Sequence, residues 1–333
     1  MPRRAALWLA LFAALTAVGV WWAVRSSGLE WRHVSRFSAL RLSTQLLLAA
    51  LSLGLVAAEA VRFRVCGVLV GAPMSWRTAL DATIANNFGS WISPGAILGE
   101  PAAMWAMARR GVPWDAAGLV AIGRAMSGLL LHLVVALALL ALGLGPTLHR
   151  WILVPFVVGA ALALAIVLAL VAAACFPERA SAWCERRRAL RAMFAFVRDA
   201  IVRLAAFRRR AARTLPALLA VHALYYAFFV AILVVLLQAF GAEGGARVVS
   251  ASIIYLAFTY VAPTPGGAGL SEAVAAPFFG ALVAPDAAVL AVLLFRGLTF
   301  YLQIAMGVVY LPFLGRKESV GSAPDPVLPS PRP

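Results

Sequence analysis

Two charged pairs with identical spacing, each set in strongly apolar sequence, constrain this chain more than any other feature. Ser93-Pro94-Gly95 leads to Gly99-Glu100, then to Asp115 just behind a proline, and on to Arg124. Far downstream, Thr264-Pro265-Gly266 leads to Glu272, then to Asp286 behind a proline, and on to Arg296. Arg124 follows Glu100 by 24 residues, and Arg296 follows Glu272 by the same 24. A carboxylate or guanidinium at membrane depth is costly, so its presence there marks a functional or bracing role. Repetition of the turn, the cap and both charges points to an internal repeat, the usual build of a membrane transporter.

The composition places these pairs in a membrane. Of 333 residues, 63% are hydrophobic and 13% charged, with a mean hydropathy of +0.92, far from the balance of a soluble domain. Several apolar runs reach the roughly 20 residues that cross a bilayer core of about 30 Å, and they lack the strict alternation of barrel strands. Full spans are expected at 5–24, 44–61, 115–142, 151–174, 215–240 and 287–314. The stretches 76–110 and 248–283 are more polar and broken by Pro-Gly turns. Each is read as two short helices that enter the membrane and return, a form tolerated only inside protein or beside a water-filled cavity. The expected fold is an all-α integral membrane protein of six full spans and two oppositely oriented re-entrant helical hairpins. Segments 44–142 and 215–314 form an inverted repeat within a single membrane domain, 1–317, and the Pro-rich 318–333 is read as a disordered tail.

Charge orients the chain. The net charge is +16, and eleven arginines crowd into 176–213 between two spans. That position fits a cytoplasmic loop facing an anionic leaflet and argues against nucleic acid as the partner. Counting spans from this loop puts both termini in the cytoplasm. Residues 25–43, which carry Arg25, Arg32, Arg36 and Arg41, then fall outside, against the rule. The N-terminal MPRR and apolar 5–24 resemble a signal sequence, but Trp21-Trp22 occupies the place of small cleavage-site residues, so a retained span is expected. Cys66, Cys175 and Cys184 are isolated and read as free thiols.

Glu100 and Glu272 fall at the start of the second helix of each hairpin. There they either cap the helix or serve as a proton or coupling-ion site, or as a ligand for a cationic group. Arg124 and Arg296 lie about ten residues past a helix-starting aspartate, roughly 15 Å into the hydrocarbon. Each therefore needs an anion: one of the glutamates, or a phosphate suited to the planar guanidinium fork. Gly266, Gly267 and Gly269 permit close backbone approach and offer N–H groups to an anion, without the lysine of a P-loop. Asn86 and Asn87 either line the same cavity or bond locally. His132 and His222 are read as packing residues, and Glu59 and Asp81 as interfacial, solvated or capping. The residues imply no cofactor and no metal cluster.

The segments NNFGSWISPGAILGE (86–100), RRGVPWDAA (109–117) and YVAPTPGGAGLSEA (260–273) resemble the lysylphosphatidylglycerol synthase/flippase transmembrane-domain family, including its stand-alone flippase-like bacterial members. The resemblance implies a polytopic inner-membrane protein with paired re-entrant hairpins that moves or presents lipids. The family's synthases make the lipid in a separate soluble domain, for which 333 residues leave no room, so synthase activity is not expected. Ile97 and Ala103 stand where the family's first motif often carries basic residues, which questions the usual head group. The expected function is a non-enzymatic lipid transporter of the bacterial inner membrane. Arg124 and Arg296 attract a head-group phosphate, and Glu100 and Glu272 release it or couple protons. Two alternatives stay open. One is a membrane-embedded lipid-phosphate enzyme with Glu100 or Glu272 as base. The other is a non-catalytic partner that docks a cytoplasmic enzyme through 176–213. The sequence assigns no oligomeric state.

Overall fold

Backbone N–H and C=O groups in a bilayer have no water to bond, so apolar segments of this length must satisfy them internally as helices. The computed structural model describes residues 14, 17–30, 35–36, 38–93, 96–148, 150–176, 179, 216–262, 264 and 266–315, and all regular structure among them is helical. A short helix, α1, covers 17–27. Then follow α2 (Leu42–Val70), α3 (Trp76–Ile92), α4 (Gly99–Arg109), α5 (Trp114–Ala141) and α6 (Arg150–Cys175). The second half holds α7 (Pro216–Ala239), α8 (Gly245–Val261), α9 (Leu270–Ala273), α10 (Ala275–Phe279), α11 (Pro285–Arg296) and α12 (Leu302–Gly315). Four stretches are long and apolar enough to cross a membrane: α2, α5, α7 and Pro285–Leu314. The chain is a multi-pass, all-α membrane protein. In α6 the apolar part, Arg150–Ile166, is shorter than these four. Most of 5–24, the arginine-rich 180–213 and the tail 318–333 lie outside the described residues, as do Pro94, Gly95 and Pro265.

The same order of elements occurs twice. A long helix (α2 or α7) leads into a 17-residue helix (α3 or α8), a short return (α4, or α9 with α10) and a second long stretch (α5, or α11 with α12). Local chemistry sets the boundaries. Ser75 caps α3 by accepting from the Thr78 N–H at 3.1 Å. Both closing stretches begin at a proline followed by an acid in the first turn, Asp115 and Asp286, where the helix dipole favours negative charge. The two halves then exchange contacts: α3 packs against α12, and α8 packs against α5. Each half's 17-residue helix thus leans on the other half's closing helix. Trp91 ties the first of these contacts through a 2.7 Å bond to Gln303.

Three expectations need correction. The span expected to end at 61 runs on to Val70. Arg62 and Arg64 look like the charged flank that ends a span, but Arg62 is buried beside Glu59 and the helix passes through it. It stops only at Gly71, which takes the left-handed conformation at φ 78° and returns its N–H to Val68. Glu59, read as interfacial, is 1% exposed, and Asp81, read the same way, is fully buried. Asp81 pairs with Arg110 at 2.6 Å and accepts the Tyr310 hydroxyl at 2.6 Å, joining α3, the end of α4 and α12. Finally, the single helix expected at 287–314 is interrupted by a π turn at Gly297–Tyr301, directly after Arg296.

The Asp81 cluster carries a prediction. Replacing Tyr310 with phenylalanine removes a hydrogen bond to a buried charge and should cost about 1.5–3 kcal/mol of stability. Thermal unfolding in detergent, with wild type and Tyr310→Phe side by side, reads this directly.

Candidate functional site

The charged residues of the first half converge where α2, α4, α5 and α7 meet. Glu59 on α2 is 1% exposed and bonds Arg62, one helical turn on, at 2.5 Å. Its other oxygen accepts from Arg124 Nη1 on α5. Arg124 Nη2 reaches Glu100 Oε1 on α4 at 2.5 Å, and Asn86 Nδ2 donates to the same oxygen at 3.3 Å. The result is a chain of alternating charge, Arg62–Glu59–Arg124–Glu100, with two positive and two negative members. Buried ions of this kind persist only when paired and hydrogen-bonded.

Neighbours fix its geometry. Arg62 Nε donates to His222 Nδ1 at 3.1 Å, so the neutral imidazole carries its proton on Nε2 and turns it to Ser127 Oγ (2.6 Å) and the Arg124 carbonyl (3.1 Å). Gly128 lies against this group: a Cβ there would strike Arg62 Nη2. The Arg62 guanidinium also sits 4.3 Å over the Tyr225 ring, and that of Arg124 sits 4.6 Å over Phe63.

The second half builds a smaller version. Glu272 lies in the first turn of α9 and is fully buried. One oxygen accepts the Gly269 N–H and the Ser271 hydroxyl, both at 2.8 Å, which caps the helix. Gly269 sits at φ 81°, a conformation that spares a residue without Cβ any strain. The other Glu272 oxygen lies 2.6 Å from Arg296 Nε, at an angle that makes an ion pair without a hydrogen bond. Arg296 Nη1 donates to the Gly266 carbonyl at 2.9 Å, and the guanidinium covers the Phe300 ring at 3.9 Å.

Between the two clusters lies a cavity with about 70 Å³ open to the centres of water molecules. That is room for a few waters. Arg124 and Arg296 both stand on its wall, as do Asn86, Asn87, Gly266 and Gly267. Glu100, Glu272 and Gly269 do not; they brace the arginines from behind. Glu59, Tyr225, Trp91 and Thr264 join the wall unforeseen. The wall's unsatisfied polar atoms share one character. Among the described residues, those on cavity-lining side chains are Arg124 Nε, Arg296 Nε and Nη2, and Thr264 Oγ1, all of them able to donate. A wall of donors without hydrogen bonds suits an acceptor, and an anion best of all. Among the described residues, no group of three or more His, Cys, Asp or Glu is arranged to hold a metal.

No curated protein matches the chain at a significant level. The family model described as "Lysylphosphatidylglycerol synthase TM region" matches residues 7–307, which contain both 76–110 and 248–283 and every charged residue of the two clusters, and the chain belongs to that family.

Proposed function

We propose that this protein moves or presents an anionic lipid, of which a phospholipid is the plainest example, across the bacterial inner membrane. The head-group phosphate enters the cavity between the two charged clusters while the acyl chains stay outside it. The observation that carries this reading is a set of atoms without hydrogen bonds, each able to donate, on a wall shared by two buried arginines. Cavity size supports the division of the lipid, since a space this small takes a phosphate group and not two acyl chains.

In this reading α3–α4 and α8–α10 are re-entrant hairpins that approach from opposite faces. The 11 residues of α4 extend about 17 Å at 1.5 Å per residue, well short of a roughly 30 Å core. The return in the second half is split into pieces of 4 and 5 residues. The exchanged contacts of α3 with α12 and α8 with α5 fit two halves related by inversion. Rocking one half against the other then exposes the cavity to each side in turn. Both termini and 176–213 face the cytoplasm.

Reconstitution tests the proposal. Vesicles holding a head-group-labelled anionic phospholipid in one leaflet should lose their asymmetry at least tenfold faster with the protein than without it. An uncharged diacylglycerol-linked label should not respond. Equal rates in protein-containing and empty vesicles would overturn the reading.

A further inference from the structure

The two arginines on the cavity wall are held differently, and the difference assigns them different tasks. At Arg124 both terminal nitrogens face carboxylates, Nη1 on Glu59 and Nη2 on Glu100. Glu59 itself stands on the wall. An anion approaching Arg124 meets that carboxylate and has to break an existing ion pair to gain a new one. At Arg296, Nη1 is taken by the Gly266 carbonyl and Nε faces Glu272, while Nη2 has no acceptor among the described residues. The Arg296 side chain is 5% exposed, so bulk water does not satisfy it. Its carboxylate partner sits behind it, off the wall, with one oxygen already committed to Gly269 and Ser271. Thr264 Oγ1, on the same wall, is likewise unpartnered among the described residues.

The geometry points to Arg296, with Thr264, as the group that binds an oxygen of the phosphate, and to Arg124 as a positioning residue that holds the first hairpin in register with α2. The ligand class is a phosphate mono- or diester whose oxygen accepts from Nη2. The Gly266 carbonyl and Glu272 fix the plane of the guanidinium before the ligand arrives, so little ordering is needed on binding. This assignment rests on the reading of the cavity as a head-group site.

The test compares charge-neutral double variants, which leave no buried charge alone. The probe is phosphatidylglycerol titrated into the full-length protein in a non-ionic detergent, with diacylglycerol of the same chains and inorganic phosphate as parallel arms. Arg296→Gln/Glu272→Gln should weaken phosphatidylglycerol binding about 10- to 100-fold, the size expected for loss of a charged hydrogen bond. Arg124→Gln/Glu100→Gln should cost at least tenfold less affinity than that. Thr264→Val, which touches no charge, should weaken binding about fivefold and serves if a double variant fails to stay monodisperse. Competition by inorganic phosphate at comparable concentration would assign the site to free phosphate over a lipid. Equal losses in the two double variants, or a larger loss at Arg124, would overturn the assignment while leaving lipid binding intact. A wild-type protein that binds diacylglycerol as well as phosphatidylglycerol would instead overturn the head-group reading itself.

Discussion

Arg124→Ala lowers the melting temperature of the detergent-solubilised protein by roughly 10 °C, the consequence of losing about 3–5 kcal/mol. The cause is charge stoichiometry. Arg62 and Arg124 together balance Glu59 and Glu100. Without Arg124, Glu59 keeps Arg62, but Glu100 keeps only the 3.3 Å bond from Asn86. A carboxylate stranded in this way is far costlier than the original pair was beneficial. The double variant Arg124→Ala/Glu100→Gln restores neutrality and should regain more than half of the loss, whereas Arg124→Ala/Asn86→Ala should regain none. Scanning calorimetry or intrinsic fluorescence melts of the four proteins decide it. A single variant as stable as the double would show that Glu100 carries no uncompensated charge.

The second large effect belongs to Glu272, which holds two roles at once. One oxygen closes the turn at Gly269 and the other neutralises Arg296. Glu272→Gln keeps an acceptor for the Gly269 N–H and removes the charge, so its cost measures the ion pair, again about 3–5 kcal/mol. Glu272→Ala removes the cap as well and should cost about 1 kcal/mol more. Equal melting temperatures for the two variants would mean that the cap contributes nothing. Equal melting temperatures for Glu272→Gln and wild type would mean that Arg296 finds its counter-charge elsewhere.

Much of this arrangement was readable from spacing. The Glu100–Arg124 and Glu272–Arg296 pairs each link a helix start to a point deep in the next helix, and local helical geometry carries such a relation without knowledge of the tertiary fold. The breaks between α3 and α4 and between α8 and α9 were readable too, through Pro and Gly. What escaped was contact between distant segments. Arg62 meets His222 across 160 residues, and Trp91 meets Gln303 across 212; no periodicity encodes either. Glu59 escaped differently. A Glu–Arg pair one turn apart near the end of an apolar run looks the same whether it meets water or buries itself, and only the position of Arg124 decides between them. The Asp81–Arg110–Tyr310 cluster was hidden by the same ambiguity.

The π turn at Gly297–Tyr301 has a consequence for helical phase. An inserted residue rotates everything beyond it by about 100° relative to an uninterrupted α-helix. Gln303 and Tyr310 lie beyond it, and they are the residues through which the closing helix grips Trp91 and Asp81 of the first half. Arg296 lies before it, so the 24-residue interval shared by the two halves survives untouched. The turn therefore works as an angular offset between two surfaces on one helix. The near part keeps the interval it shares with the first half, and the far part is turned to meet Trp91 and Asp81.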